Sequence, residues 1–255
     1  MNLLDTHAHI YLDDFDNDRP QVIQNAEKEG IIKILMPAID SVTHVKMLEV
    51  AELNKSMCLS MMGLHPCSVK ENFQEELLIA EEYLQKMKFC GIGETGLDFY
   101  WDLTFKKEQA EAFQKQLEWG FQYNLPVVIH SRNSLDECIR LVSENQKGKL
   151  KGVFHCFSGT LEQAQQIINL GFYLGIGGVL TYKNSGLDKV MQELSLDNVV
   201  LETDAPYLTP VPFRGKRNEC SYLKYVLQKL SEIKKIPAEE IASVTTRNAR
   251  ELFSI

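Results

Sequence analysis

Two histidines one residue apart, His7 and His9 in DTHAHI, are the first residues whose types and spacing could do chemistry. On a strand, residues i and i+2 point to the same side, so both imidazoles can reach one ion from a single rigid element. Four further apolar runs lead into a group of the same kind: Glu94 in GIGETGLDFY, His130 in PVVIH, His155 in GVFH, and Asp204 in ETD. Read singly, each has a plain structural account. The histidine pair could be capped at the surface, Glu94 could sit in an ion pair, His130 and His155 could be core histidines bonded to carbonyls, and Asp204 could cap a turn ahead of Pro206. With 35 Asp and Glu and 6 His in 255 residues, five such run ends are more than composition alone supplies. Four imidazoles and two carboxylates also exceed what one tetrahedral ion takes, which points to two divalent ions with Glu94 as a bridge.

The elements that would position these groups alternate. Strand-like runs cover Leu3–His7, Ile32–Ala38, Cys58–Gly63, Phe89–Glu94, Pro126–His130, Gly152–His155, Phe172–Ile176 and Asn198–Glu202. They are short and apolar, the pattern of strands buried on both faces of a parallel sheet. Helical patterns lie between them over Pro20–Lys28, Val42–Leu53, Glu75–Met87, Lys106–Tyr123, Ser134–Glu144, Leu161–Leu170 and Gly186–Leu194. After the last strand come Tyr222–Ile233, Pro237–Val244 and Asn248–Phe253. Gly30 and Gly171 suit C-terminal caps, while Asp18 with Pro20, and Ser134 with Glu137, suit helix starts. Eight βα cycles in about 250 residues predict an α/β fold, a (β/α)8 TIM barrel with extra C-terminal helices. No repeat, low-complexity tract or linker interrupts the chain, so residues 1–255 read as a single domain. In such a barrel the active site lies at the C-terminal ends of the strands, where the ionisable groups fall.

Composition narrows the function classes. The chain is 44% hydrophobic and 24% charged, with a formal net charge of −8, so it lacks the basic footprint of a protein that coats duplex DNA. A nucleic-acid substrate would have to be held locally, by metals and a few cations. The six cysteines are scattered without a CxxC pair, which argues against a zinc ribbon or a disulfide framework. No apolar run approaches the roughly 20 residues of a membrane span, and MNLLDTHAHI has no basic leader region, so the reading is cytoplasmic.

Other residues fall near the expected active face. His65 in GLHP follows the third strand and reads as a substrate contact, a support for the ligands, or a structural turn residue. His44 lies in a helical pattern on the outside and receives no role. Arg132, and Arg214, Lys216 and Arg217 in the long loop Thr209–Arg217, stand where a phosphate clamp belongs, or form a solvated basic loop. Tyr100 and Trp101 could stack on a base or pack between loops.

The strings DTHAHIYL, GLHP, GETGLDFYW, VIHSR, FHCFSGT, ETDAPYLTP, RGKRNE and TTRNARELF run in order from residue 5 to residue 253. As a set they resemble the TatD family of metal-dependent deoxyribonucleases, in the amidohydrolase superfamily of barrels. The chain departs from that pattern at Cys220, where a proline usually follows RGKRNE, and at Thr95, where an aliphatic residue is more common. The resemblance implies a dinuclear site made by His7, His9, Glu94, His130, His155 and Asp204. It also implies hydrolysis of DNA phosphodiesters, commonly as a 3′–5′ exonuclease on single strands.

The expectation is therefore a hydrolase holding two divalent ions (zinc, manganese, nickel or magnesium). Glu94 and Asp204 are its catalytic carboxylates, and His65, Arg132 and Arg214 its substrate contacts. Its partner would be a DNA single strand or 3′ end, with no membrane and no obligate protein partner. Another amidohydrolase chemistry, such as a D-aminoacyl-tRNA deacylase or an esterase, would use the same ligands. A barrel used only as a binding scaffold is the non-enzymatic alternative.

Overall fold

The computed structural model describes residues 1–255. Eight parallel strands alternate with helices: β1 (Leu3–Asp5), α1 (Arg19–Lys28), β2 (Ile31–Met36), α2 (Ser41–Leu53), β3 (Cys58–Ser60), α3 (Phe73–Lys86), β4 (Ile92–Asp98), α4 (Lys106–Tyr123), β5 (Val127–Arg132), α5 (Leu135–Asn145), β6 (Gly152–Phe154), α6 (Leu161–Asn169), β7 (Phe172–Ile176), α7 (Leu187–Glu193), β8 (Val199–Leu201), α8 (Leu223–Lys234) and α9 (Ala238–Phe253). The strands pair in sequence order as β1-β2-β3 and β4-β5-β6-β7-β8. Isolated parallel bridges, Met62 with Ile92 and Ala8 with Ala205, link the two sheets at both seams. The strands thus follow one another in the order of a (β/α)8 barrel.

Alternation along the strands sorts the core. Leu3, Ile34, Val127, Ile129, Phe154, Leu174, Val199 and Leu201 belong to the large cluster shared with the surrounding helices. Their neighbours Leu4, Leu35, Met61, Val128, Val153 and Val200 form a second cluster with Ala249, Leu252 and Phe253 of α9. The barrel interior near the strands' N-terminal ends is therefore plugged by α9. Each of the larger buried side chains here contributes roughly 1.5–3 kcal/mol. The plug leaves the opposite end as the open mouth.

Several local expectations change. The C-terminal stretch is one helix, α9, instead of the two separate segments expected, because Thr245, Thr246 and Asn248 are buried and hold backbone partners without breaking it. Thr245 Oγ1 donates to Ile241 O at 2.9 Å, and Asn248 Nδ2 donates to Leu196 O and Val199 O at 2.7 and 2.9 Å. Ser134 precedes α5 but donates to Leu97 O at 2.6 Å, tying the helix start to β4 instead of capping it. The two capping boxes lie elsewhere, at Asp40 with Thr43 and at Thr160 with Gln163. His44 lies in the outer helix α2 as expected, on that helix's buried face. It is 1% exposed, and its ring meets Tyr83 edge-on with centroids 5.5 Å apart.

The largest difference concerns β4. The sequence reading ends this strand at Glu94, since the following Thr-Gly-Leu-Asp reads as a turn. The backbone continues as strand to Asp98, with a register shift against β5 between Ile92 and Thr95. Gly96 makes this possible, with φ +128°, and an added Cβ there would lie 2.1 Å from His130 O. The glycine that looks like a turn signal is the requirement for close strand approach. Glu94 consequently stands inside β4, and β5 likewise runs two residues beyond His130.

Candidate metal centre

His7 and His9 lie just beyond β1, where the chain is hydrogen-bonded on both sides. Ala8 N donates to Leu35 O at 3.0 Å, and His9 N to Ala205 O at 2.7 Å. Asp204 follows β8, and its N–H donates to His7 O at 2.8 Å. Buried Asp5 reinforces this seam by accepting from Thr203 N at 2.9 Å and Thr203 Oγ1 at 2.6 Å. The positions of the His7/His9 pair and Asp204 are therefore set by one shared backbone network.

Glu94 is the centre of the arrangement and is 2% exposed. Its Oε2 lies 3.0 Å from His7 Nε2 and 3.3 Å from His9 Nε2. Its Oε1 lies 2.8 Å from His130 Nδ1 and 2.8 Å from His155 Nε2. One carboxylate thus faces two imidazole pairs with different oxygens, and His7 of the first pair stacks on His155 of the second with centroids 3.9 Å apart. Asp204 Oδ1 completes the first side, 3.7 Å from both His7 Nε2 and His9 Nε2. The six residues singled out as ligands in the sequence are brought together at the barrel mouth.

The outer nitrogens of these imidazoles decide what the inner ones can do. Tyr11 OH donates to Pro37 O at 2.7 Å, so it accepts from His9 Nδ1 at 3.0 Å. His130 Nε2 lies 2.9 Å from Asp98 Oδ2, and His155 Nδ1 lies 3.5 Å from Glu202 Oε1. On His9 and His130 the outer nitrogen therefore carries the proton and the inner nitrogen turns a lone pair toward Glu94 or its neighbours, while the buried Nδ1 atoms of His7 and His155 have no hydrogen-bond partner. Carboxylate oxygens and imidazole lone pairs at about 3 Å repel unless a positive charge lies between them. The donor set, imidazole nitrogen with carboxylate oxygen, fits a divalent transition ion. The outer partners match the pattern in which ligating histidines are oriented by carboxylates and carbonyls.

The electrostatics of the cluster point the same way. Burial alone would raise Glu94, but His155, His65 and His7 hold its carboxyl well below the usual range. Burial would lower His155, yet Glu94 and Glu202 on either side hold it well above the ordinary histidine value. Burial and the neighbouring His155 push His7 well below it. Burial raises Asp204 to about 7, with His155 and His9 opposing the rise. The two carboxylates thus favour positive charge at His155, the kind of charge that a bound cation would supply.

His65 differs from the other four. Its Nδ1 accepts from Cys67 N at 3.0 Å, so its Nε2 carries the proton and points at Glu94 Oε1, 3.4 Å away. It can donate a hydrogen bond into the site but offers no lone pair there. This separates it from the ligand type even though it stands within reach of Glu94 and His130.

The basic residues divide. Arg132 and Arg214 are exposed and stack on aromatic rings, Arg132 at 3.9 Å from the Tyr100 centroid and Arg214 at 4.2 Å from Tyr182. Arg217, expected near a phosphate clamp, is taken up by partners within the chain. It is bound to both carboxylate oxygens of Asp18 at 2.8 and 2.7 Å and to Asp14 O at 2.6 Å. Asn218, fully buried beside it, donates to Thr203 O and Tyr207 O at 2.7 Å each. The RGKRNE stretch is thus in large part the fastening of the loop after β8.

Sequence reasoning did not single out Asp98, Glu202, Tyr11 or Asp5. Period-2 alternation carries the signal for two of them, since Asp98 shares a strand face with Glu94, and Glu202 stands two residues from Asp204. Glu202 is fully buried and accepts from Cys156 N, and Gly175 is the residue that admits it. A Cβ at Gly175 would lie 2.3 Å from Glu202 Oε2.

Comparison with known proteins gives the family. The profile of the family described as TatD related DNase matches residues 4–254. The metal-dependent hydrolase YabD of Bacillus subtilis is 38% identical over 254 residues, covering 99% of both chains. The crystal structure of YjjV, a TatD homologue from Escherichia coli, superposes with a TM-score of 0.93 at 31% identity, over 99% of this chain and 98% of that one. A TatD family hydrolase from Entamoeba histolytica superposes with a TM-score of 0.85 at 25% identity, over 99% and 98% of the two chains. No helix is long and apolar enough to cross a membrane. By sequence and structure alike, this chain belongs to the TatD family of metal-dependent hydrolases.

Proposed function

We propose that the chain hydrolyses phosphodiester bonds of single-stranded DNA, as a 3′–5′ exonuclease, with two divalent ions bridged by Glu94. The observation that carries this reading is the division of the Glu94 carboxylate, Oε2 toward His7 and His9 and Oε1 toward His130 and His155. His7, His9 and Asp204 would hold one ion, and His130 with His155 the other. Bound there, the ions supply Lewis acidity toward a phosphoryl oxygen and lower the pKa of water from about 15.7 toward 7.

The chain's own groups complete the chemistry. Asp204, whose side chain is 12% exposed at the mouth, orients the attacking water and accepts its proton. The water oxygen forms the new bond to phosphorus, the opposite P–O bond breaks, and the departing oxygen takes up a proton. His65 Nε2–H, beside Glu94, is the donor available to a phosphoryl oxygen. Arg132 and Arg214 meet the flanking charges, since their guanidinium groups carry no carboxylate partner within the chain. Supporting a phosphate-bearing substrate over a neutral ester is this pair of free cations at the rim of a protein of net charge −8.

The test is the product ladder from 3′-labelled and 5′-labelled oligonucleotides with defined divalent metals, run beside D-aminoacyl-tRNA. Stepwise shortening from the 3′ end, abolished in Glu94→Ala, is the expected result. Deacylation of the tRNA without cleavage of any oligonucleotide would replace this reading with the esterase one.

A further inference from the structure

The segment joining β4 to α4 displays two large rings at the rim of the mouth. Trp101 is 68% exposed and Tyr100 52%. They meet edge to face with centroids 4.8 Å apart and planes at 88°. Arg132 lies against both, its guanidinium 3.9 Å from the Tyr100 centroid and 5.1 Å from that of Trp101. Lys106 adds a second cation, 4.2 Å from the Phe99 ring. Exposed apolar surface rimmed by polar groups is what interaction sites present, and here two rings and two cations are adjacent.

The placement of these rings is fixed relative to the metal centre. Asp98 Oδ1 accepts the N–H of Tyr100 at 2.9 Å and of Trp101 at 3.2 Å. The other oxygen of the same carboxylate accepts from His130 Nε2 at 2.9 Å. Arg132 stands two residues beyond His130 on β5. A single buried side chain therefore sets both the imidazole facing Glu94 and the turn that carries the rings.

We infer that Tyr100, Trp101 and Arg132 form a stacking platform for the nucleobase next to the scissile phosphate; this rests on the nuclease reading above. The rings take the base, and the guanidinium takes the neighbouring phosphate. Every base has a π face, so such a platform is tolerant of sequence. A base held in a duplex stack cannot reach it, so the platform selects unpaired ends. The arrangement answers how an acidic protein holds a polyanion, through one stacked base and a few cations at the reaction centre.

The platform is tested with the metal-loaded enzyme and two oligonucleotides that differ only in their terminal residue, a normal nucleotide or an abasic one. Wild type is expected to favour the base-bearing end by about 10-fold or more in kcat/KM, the size of one base stacking on an aromatic ring. In Trp101→Ala that ratio falls toward one, and in Trp101→Phe it returns. Equal cleavage of both ends by wild type, or a ratio that survives Trp101→Ala, overturns the platform while leaving nuclease activity standing. If no oligonucleotide is cut while an aminoacyl ester is, the nuclease reading fails and the platform fails with it.

Discussion

His130 and Asp98 are joined by a 2.9 Å hydrogen bond from the imidazole Nε2–H to the carboxylate, and this bond turns the Nδ1 lone pair toward Glu94. Burial would raise Asp98, but its hydrogen bond with His130 and those from Tyr100 and Trp101 hold it well below the usual carboxylate range. It is therefore an acceptor throughout the working pH range. Removing it in Asp98→Ala frees the ring to flip or to change tautomer. Loss of such an outer partner costs about 10–100-fold in metal affinity. Titration calorimetry with zinc or manganese should show that loss at one of two sites, and unchanged affinity at both would contradict the role assigned to Asp98.

Gly96 tests the path of β4. Its φ of +128° and the 2.1 Å approach of a Cβ to His130 O leave no room for a side chain against a neighbouring backbone. Gly96→Ala is expected to destabilise the fold by at least about 2 kcal/mol, seen as a fall of several degrees in Tm. It should also displace Glu94 and His130 together, because both lie on the strands it separates. A variant with wild-type Tm would mean that β4 does not run as described.

Metal removal should be felt as lost stability. The four inner imidazole nitrogens and the Glu94 and Asp204 carboxylates are buried against one another without a Lys or Arg among their ion pairs. A ligand at about 1,000 times its Kd stabilises the native state by about 4 kcal/mol. Chelation followed by dialysis should therefore lower Tm, and adding back zinc or manganese should restore it. Elemental analysis of the protein as purified should find a transition metal, since imidazole donors suit such ions better than magnesium. Equal Tm with and without chelator would contradict a preformed site.

The Arg217–Asp18 pair gives a pH dependence whose sign is fixed by its geometry. The hydrogen bond from Arg217 lowers Asp18 from its ordinary value, so the pair stabilises above the unfolded carboxyl's pKa, near 4. That contribution is lost as pH falls through the lower folded value. With both side chains about a third or more exposed, its size stays under about 1 kcal/mol. Arg217→Ala should lower Tm slightly at pH 7, and the difference from wild type should shrink below pH 4. A gap that persists at pH 3 would assign the effect to the contact with Asp14 O.

The sequence carried the clustered residues more legibly than the strand boundaries. His7, His9, His130 and His155 are rare residues in apolar runs, so their spacing stands out against the chain. Glu94 was legible as a member of the cluster but misplaced on its strand, since Gly96 reads locally as a turn residue and acts through a tertiary contact with β5. Ser134 shows the same limit, because a serine at a helix start looks like a cap and its hydroxyl instead reaches β4. Arg217 and Asn218 were unreadable in the other direction. Their partners, Asp18 and the carbonyls of Thr203 and Tyr207, are set by folding and not by spacing. Asp98 and Glu202 were within reach, each standing at even spacing from a residue already chosen.

The claim on which the rest depends is that Glu94 binds a different ion with each oxygen. Anomalous diffraction from crystals soaked in zinc or manganese tests it directly. Two peaks are expected, one within about 2.0–2.2 Å of Oε2 near His7 and His9, the other at that distance from Oε1 near His130 and His155. A single peak, or two peaks neither of which touches Glu94, would contradict it.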